Sequence, residues 1–149
     1  MPNIDQIKKI REQTGASVVE CQKALVEARG DIDKAKEILR KKGKELAQQK
    51  KERATGQGII ESYIHTNKKI GVLLELKCET DFVAKSSDFQ FLAHELCLQI
   101  AGVVDDEQAP FLQQPWIKDE SKTIKELIDE HISKLGENIT IERFIKYQI

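Results

Sequence analysis

Residues 58–78 read GIIESYIHTNKKIGVLLELKC. Two runs rich in Ile, Val and Leu, 58–65 and 70–78, flank the short polar link Thr66-Asn67-Lys68-Lys69. Strand-forming residues on both sides of a short turn predict an antiparallel β-hairpin. Just upstream, Thr55-Gly56-Gln57-Gly58 places two glycines within three residues, the mark of a flexible joint. The joint divides the chain into a unit at 1–54 and a unit at 55–149.

Upstream of it the pattern is helical. Ile4, Ile7 and Ile10 recur at helical spacing behind Asn3, with Gln6 placed for a capping box. Thr14-Gly15-Ala16 breaks that helix. Ser17 with Glu20 opens a second one, whose spacing buries Val18, Cys21, Leu25 and Ala28 and which stops at Gly30. Asp31 caps a third, with Ile32, Ala35, Ile38 and Leu39 on its apolar side; Gly43 is placed to interrupt or end it, while Leu46 and Ala47 suggest continuation into the basic tail. Downstream of the hairpin, Ser87 is placed to cap a helix with the stripe Phe89, Leu92, Ala93, Leu96, Cys97, Ile100 and Val104. Residues 105–115 read as an acidic, proline-bounded loop. Thr123 with Glu126 opens a helix through Leu135 that Gly136 ends, and 139–148 is β-branched and reads as a third strand. The predicted fold is α+β: a three-helix N-terminal bundle, then a β-β-α-α-β core with a three-stranded antiparallel sheet and helices on one face.

Composition narrows the function classes. The 149 residues are 40% apolar and 33% charged, with net charge −1, enough hydrophobe to pack and too little imbalance for disorder. No stretch is apolar enough to span a membrane, and no signal or transit segment is visible. Cys21, Cys78 and Cys97 are scattered and odd in number, against a disulfide framework or a zinc ribbon, so a cytoplasmic setting is expected. The charge is uneven: residues 1–53 carry 14 basic and 9 acidic side chains, and 54–149 carry 10 and 16. Nine of those bases lie between Lys34 and Arg53, either a solvated helix tail or a contact for nucleic acid or an acidic partner.

Catalytic patterns are absent. The histidines His65, His94 and His131 form no pair at metal spacing, and there is no nucleophile elbow or phosphate-binding glycine loop. We therefore expect no enzyme, no metal, no cofactor and no direct nucleotide binding. The run Cys78-Glu79-Thr80-Asp81-Phe82-Val83-Ala84 stands out, because it joins a strand to a helix and still carries Phe82 and Val83. Phe82 either folds back on the core or anchors in a partner's pocket.

Residues 76–84 (LKCETDFVA) resemble a signature of the elongation factor Ts family. Residues 11–25 (REQTGASVVECQKAL), Gly30-Asp31 with Lys34-Ala35 and Leu39-Arg40, the hairpin, Gln114-Pro115-Trp116-Ile117-Lys118-Asp119, and 134–139 (KLGENI) are similar to further family motifs, in family order. The resemblance spans essentially the whole chain. It implies a guanine-nucleotide exchange factor for elongation factor Tu, with the first bundle a ubiquitin-associated-like domain that docks on Tu. By motif match the bundle's contacts are Arg11, Val18 and Val19, where Val18-Val19 replaces the family's usual Met-Met. Thr80, Asp81, Phe82 and Val83 form the element that dislodges Mg²⁺ from Tu, with Asp81 supporting the loop. Leu135 and Gly136 match a further Tu-contacting turn.

Two departures bear on this. Familiar members carry a helical excursion between the first core helix and the Gln114–Asp119 motif, which 103–112 closes directly here. Longer members hold two related core modules, whereas Asp81-Phe82 and Tyr63/His65 occur here in a single copy. A homodimer is therefore expected, and His65 is either a second Tu contact or a solvent-facing hairpin histidine. The competing reading is an adaptor without exchange activity that binds RNA or nascent chains through the basic stretch 34–53.

Overall fold

The computed structural model describes residues 2–103 and 110–149. Three capped helices open the chain. In α1 (Ile4–Thr14) and α2 (Val18–Glu27) both capping boxes form: Asn3 Oδ1 accepts from Gln6 N at 2.7 Å, and Ser17 Oγ from Glu20 N at 3.2 Å. Asp31 caps α3 (Ile32–Lys50). Ile10, Cys21, Ala24, Leu25, Ala28 and Ala35 make a small core among them.

Gly43 does not interrupt α3, which runs 19 residues without a break. The glycine faces a second helix, and a Cβ there would lie 3.7 Å from Cβ of Ser133, an ordinary contact. Neighbouring packing supplies what glycine's low helix propensity withholds. Gly43→Ala is accordingly expected to stabilise the chain by about 0.5–1 kcal/mol, read as a raised thermal midpoint. Because α3 is continuous, Ala35 packs in the first core while Ala47 packs in the second.

The second core is built on a sheet. Strands β1 (Gln57–Ile64), β2 (Ile70–Cys78) and β5 (Thr140–Gln148) are antiparallel in the order β1-β2-β5. The two-residue period sends Val72, Leu74, Leu76 and Cys78 inward. Across β1 and β2 lies α5 (Ser87–Gly102), and α6 (Ile124–Leu135) packs on both α5 and α3. Gly58 serves β1 rather than a loose joint. Its φ is +157°, and a Cβ there would meet Leu76 O at 2.2 Å, so close strand approach requires glycine.

Two local readings are corrected. Ser86, not Ser87, caps α5: Ser86 is extended and its Oγ accepts from Phe89 N at 3.3 Å. Its hydroxyl also donates to Val83 O at 2.7 Å, because a one-turn helix, α4 (Asp81–Ala84), ends just before it. Part of the expected loop is structured. A 3₁₀ turn (Phe111–Gln113) leads into a small hairpin of β3 (Pro115–Trp116) and β4 (Asp119–Thr123). Gln99, fully buried on α5, holds it by accepting from Ile117 N at 2.9 Å and donating to Pro115 O at 3.1 Å. Val104 of the predicted stripe and loop residues 105–109 lie outside the described residues. Among the described residues no helix is long and apolar enough to cross a membrane.

Candidate partner-docking turn

At the end of β2 the Cys78 side chain is buried and its Sγ donates to Thr80 O at 3.1 Å. Burial pushes the Cys78 thiol above its ordinary pKa, as it does for Cys21, and pushes Cys97 to about 12. All three are free and buried, and burial keeps them in the thiol form. Thr80 then caps α4, its Oγ1 accepting from Val83 N at 3.2 Å.

That single turn separates two neighbours. Val83 is 5% exposed and joins the core, whereas Phe82 is 87% exposed. One residue of helix rotates the side chain by about 100°, enough to turn one apolar group inward and the next outward. The reading in which Phe82 folds back on its own core is excluded by this exposure. Asp81 pairs with Lys85 at 2.7 Å across α4, and this contact raises the lysine's pKa.

Two carboxylates that the sequence reading did not single out tie the turn down. Glu137 accepts from Glu79 N at 3.1 Å, Thr80 N at 2.9 Å and Thr80 Oγ1 at 2.7 Å. Glu79 in turn accepts from Asn138 N at 2.6 Å. Glu137 follows Leu135 and Gly136, so two predicted contact segments lie side by side. Gly136 has φ +77° and closes α6, and Leu135 packs partly against the core. The α1–α2 turn approaches the same end, since a Cβ on Gly15 would lie 3.1 Å from Lys134 Cδ. Exposed Arg11 and the half-exposed Val18 and Val19 flank that turn. Arg11 lines a charged cleft of about 1000 Å³ together with Lys134 and Asp88, which pair at 3.2 Å.

His65 is not brought to this end. It sits at the hairpin, bonded through Nδ1 to Tyr63 OH at 2.8 Å, while the turn at 79–83 follows the opposite end of β2. Nine strand residues separate them, roughly 30 Å at ~3.3 Å per residue. Among the described residues no group of three His, Cys, Asp or Glu side chains could hold a metal.

A pH-sensitive group underlies the scaffold. His131 on α6 donates Nδ1–H to Leu127 O at 2.9 Å and stacks on Phe91. Burial lowers its pKa, outweighing the Leu127 hydrogen bond and Asp88, which raise it, while Lys134 and Lys122 push it further down. The folded chain therefore keeps His131 neutral at a pH where the unfolded chain takes a proton, so stability falls as pH drops below about 6.5. Glu130 works oppositely, because burial raises its pKa. Subtracting the profile of His131→Gln isolates the histidine: we expect the wild-type thermal midpoint to fall more steeply between about pH 7 and 5.5, checked by pH-resolved melting.

The exposed ring of Phe82 is thus held on a turn braced by Glu137. Comparison with known proteins shows the family. The family model for elongation factor TS matches residues 79–149. Elongation factor Ts of Thermotoga neapolitana is 42% identical over 190 aligned positions, which cover 99% of this chain and 96% of the relative. The protein of the same name from Coprothermobacter proteolyticus is 39% identical over 96% of this chain and 95% of its own length. That of Methylacidiphilum infernorum is 36% identical over 99% and 94%. The chain belongs to the elongation factor Ts family, and is thus an elongation factor of protein biosynthesis. An alignment of 190 positions against a chain of 149 also means that the first relative carries residues this chain lacks.

Proposed function

We propose that the chain is a guanine-nucleotide exchange factor that binds elongation factor Tu·GDP and promotes GDP release through Thr80, Asp81, Phe82 and Val83. The observation that carries this reading is the 87% exposed ring of Phe82 on a turn fastened to the core. The ring inserts into Tu and shifts the groups that hold Mg²⁺ and the β-phosphate. Arg11, Val18 and Val19 on the ubiquitin-associated-like bundle, with Leu135 and Gly136, supply the surrounding contact. His65 supplies a second, remote one.

The action is a coupling free energy. GDP and the exchange factor weaken each other's binding to Tu equally, by linkage, so the wedge must be favourable only in the displaced state. Burying one Phe side chain contributes roughly 1.5–3 kcal/mol, or about one to two decades of affinity. Any larger antagonism needs the bundle contacts as well. No bond is made or broken, so the chain is a catalyst of dissociation and works where Tu works, in the cytoplasm. It holds no nucleotide or cofactor itself. Homodimerisation belongs to the proposal too. Exposed Ile60, Ile64, Leu73, Ile145 and Tyr147 leave the outer sheet face apolar, a patch a second copy can cover symmetrically.

The basic stretch gives the adaptor reading little support. Arg40 and Lys44 pair with Glu126, Lys42 with Glu27 and Arg53 with Glu79, while Lys50 donates to Gly136 O. These contacts engage five of its nine cations. The deciding experiment mixes the protein with Tu loaded with fluorescent GDP and follows release. Acceleration that survives neutralising Lys41 and Lys51, which take no part in the contacts above, supports exchange. RNA binding that weakens with salt, without nucleotide release, would reverse the assignment. Solution mass with and without Tu gives the stoichiometry.

A further inference from the structure

The turn that presents Phe82 cannot hold its own shape. A helix of four residues, Asp81–Ala84, lies far below the length at which helices persist alone. Its direction is set by its cap, Thr80, and Thr80 is held from outside. Glu137 reaches across 57 residues of sequence and accepts from both the Thr80 amide and the Thr80 hydroxyl. A hydroxyl has one proton. Spending it on Glu137 leaves a lone pair facing Val83 N, which is the capping bond of α4. One carboxylate thus orients the cap that orients the ring.

The brace extends further. Glu79 returns the contact by accepting from Asn138 N, and Asn138 Nδ2 donates to Arg53 O at 2.9 Å. Lys50 Nζ donates to Gly136 O at 2.8 Å. The end of α3, the turn at 79–83 and the turn after α6 are joined in one polar network. We propose that Glu137 is the positioning residue of the exchange turn, which it holds so that Phe82 points away from the core before any partner arrives. This rests on the exchange reading above and adds the group that makes the wedge stiff. A stiff wedge needs less ordering at the moment of insertion.

The test uses the full chain. With Tu carrying fluorescent GDP, Glu137→Ala is expected to lower the maximal release rate about tenfold, the size of one lost charge-assisted contact. The half-saturating concentration stays in place, because the bundle's contacts are untouched. Glu137→Gln, which keeps a carbonyl oxygen at the same reach, recovers most of the rate. In a Phe82→Ala background Glu137→Ala adds nothing, since it acts through that ring. Amide hydrogen exchange on the free protein gives a reading independent of Tu: Thr80 N–H loses protection in Glu137→Ala and keeps it in Glu137→Gln, with β2 and α5 unchanged. Undiminished Thr80 protection in Glu137→Ala, or a rate loss that adds fully to that of Phe82→Ala, overturns the proposal. If Glu137→Ala does not fold, Thr80→Val removes the hydroxyl alone, and an unchanged release rate there is equally fatal. Should the wild type release no GDP while Thr80 protection still depends on Glu137, the exchange reading falls and the brace stands.

Discussion

Phe82→Ala is expected to cut the acceleration of GDP release by about one to two orders of magnitude while moving folding stability by less than about 0.5 kcal/mol. The two halves of that result have one cause. The ring is 87% exposed, so the folded chain gains almost nothing from it, and whatever burial it achieves occurs in the complex. Truncation removes that burial and leaves α4, its Thr80 cap and the Glu137 brace in place. Stopped-flow release of fluorescent GDP, alongside a thermal melt of the same preparation, reads both halves. Unchanged release would show that the turn is not the wedge, and a lowered melt would show that the ring has a role within its own fold.

Phe89→Ala is expected to do the reverse. Seven residues along, this side chain is fully buried at the start of α5 and is the largest among the fully buried side chains. Removing a buried aromatic ring costs about 3–5 kcal/mol, because the lost transfer energy adds to that of the cavity left behind. For a chain of this size each kcal/mol lowers the midpoint by roughly 2–4 °C, so a loss of roughly 6–20 °C is expected. Release per folded molecule should change little below the new midpoint. A melt shifted by only a degree or two would mean that the core collapses around the gap.

These two phenylalanines show how far the sequence can be read. Phe89 belongs to a stripe at helical spacing, so its burial follows from periodicity. Phe82 sits in a seven-residue connection with no period, and composition could not say whether it faced in or out. The resemblance implies a role for it, but only the fold shows the ring exposed. The cap of α5 was misplaced by one residue for a related reason. Ser86 and Ser87 are equally good caps in isolation, and the choice fell to Ser86 because α4 ends against it. Gly43 and Gly58 were read as breaks by their local preference. Gly58 is required where β1 passes close to Leu76, whereas Gly43 lies within an unbroken α3 and makes room for nothing, a Cβ there meeting Ser133 only at ordinary contact distance.

What the linear order of residues settled alone was everything carried by local period and capping: three helices, a hairpin, two further helices and a closing strand. A side chain within four positions, or alternation along a strand, is enough to specify each of these. What waited for the folded molecule was every feature that depends on residues far apart in the chain. Glu137 meeting Thr80, Gln99 holding the β3–β4 hairpin, and the separation of His65 from Phe82 along β2 are all of this kind. Such contacts leave no local signature, because the energy of a hydrogen bond between distant residues depends on geometry that exists only once the backbone between them has been placed.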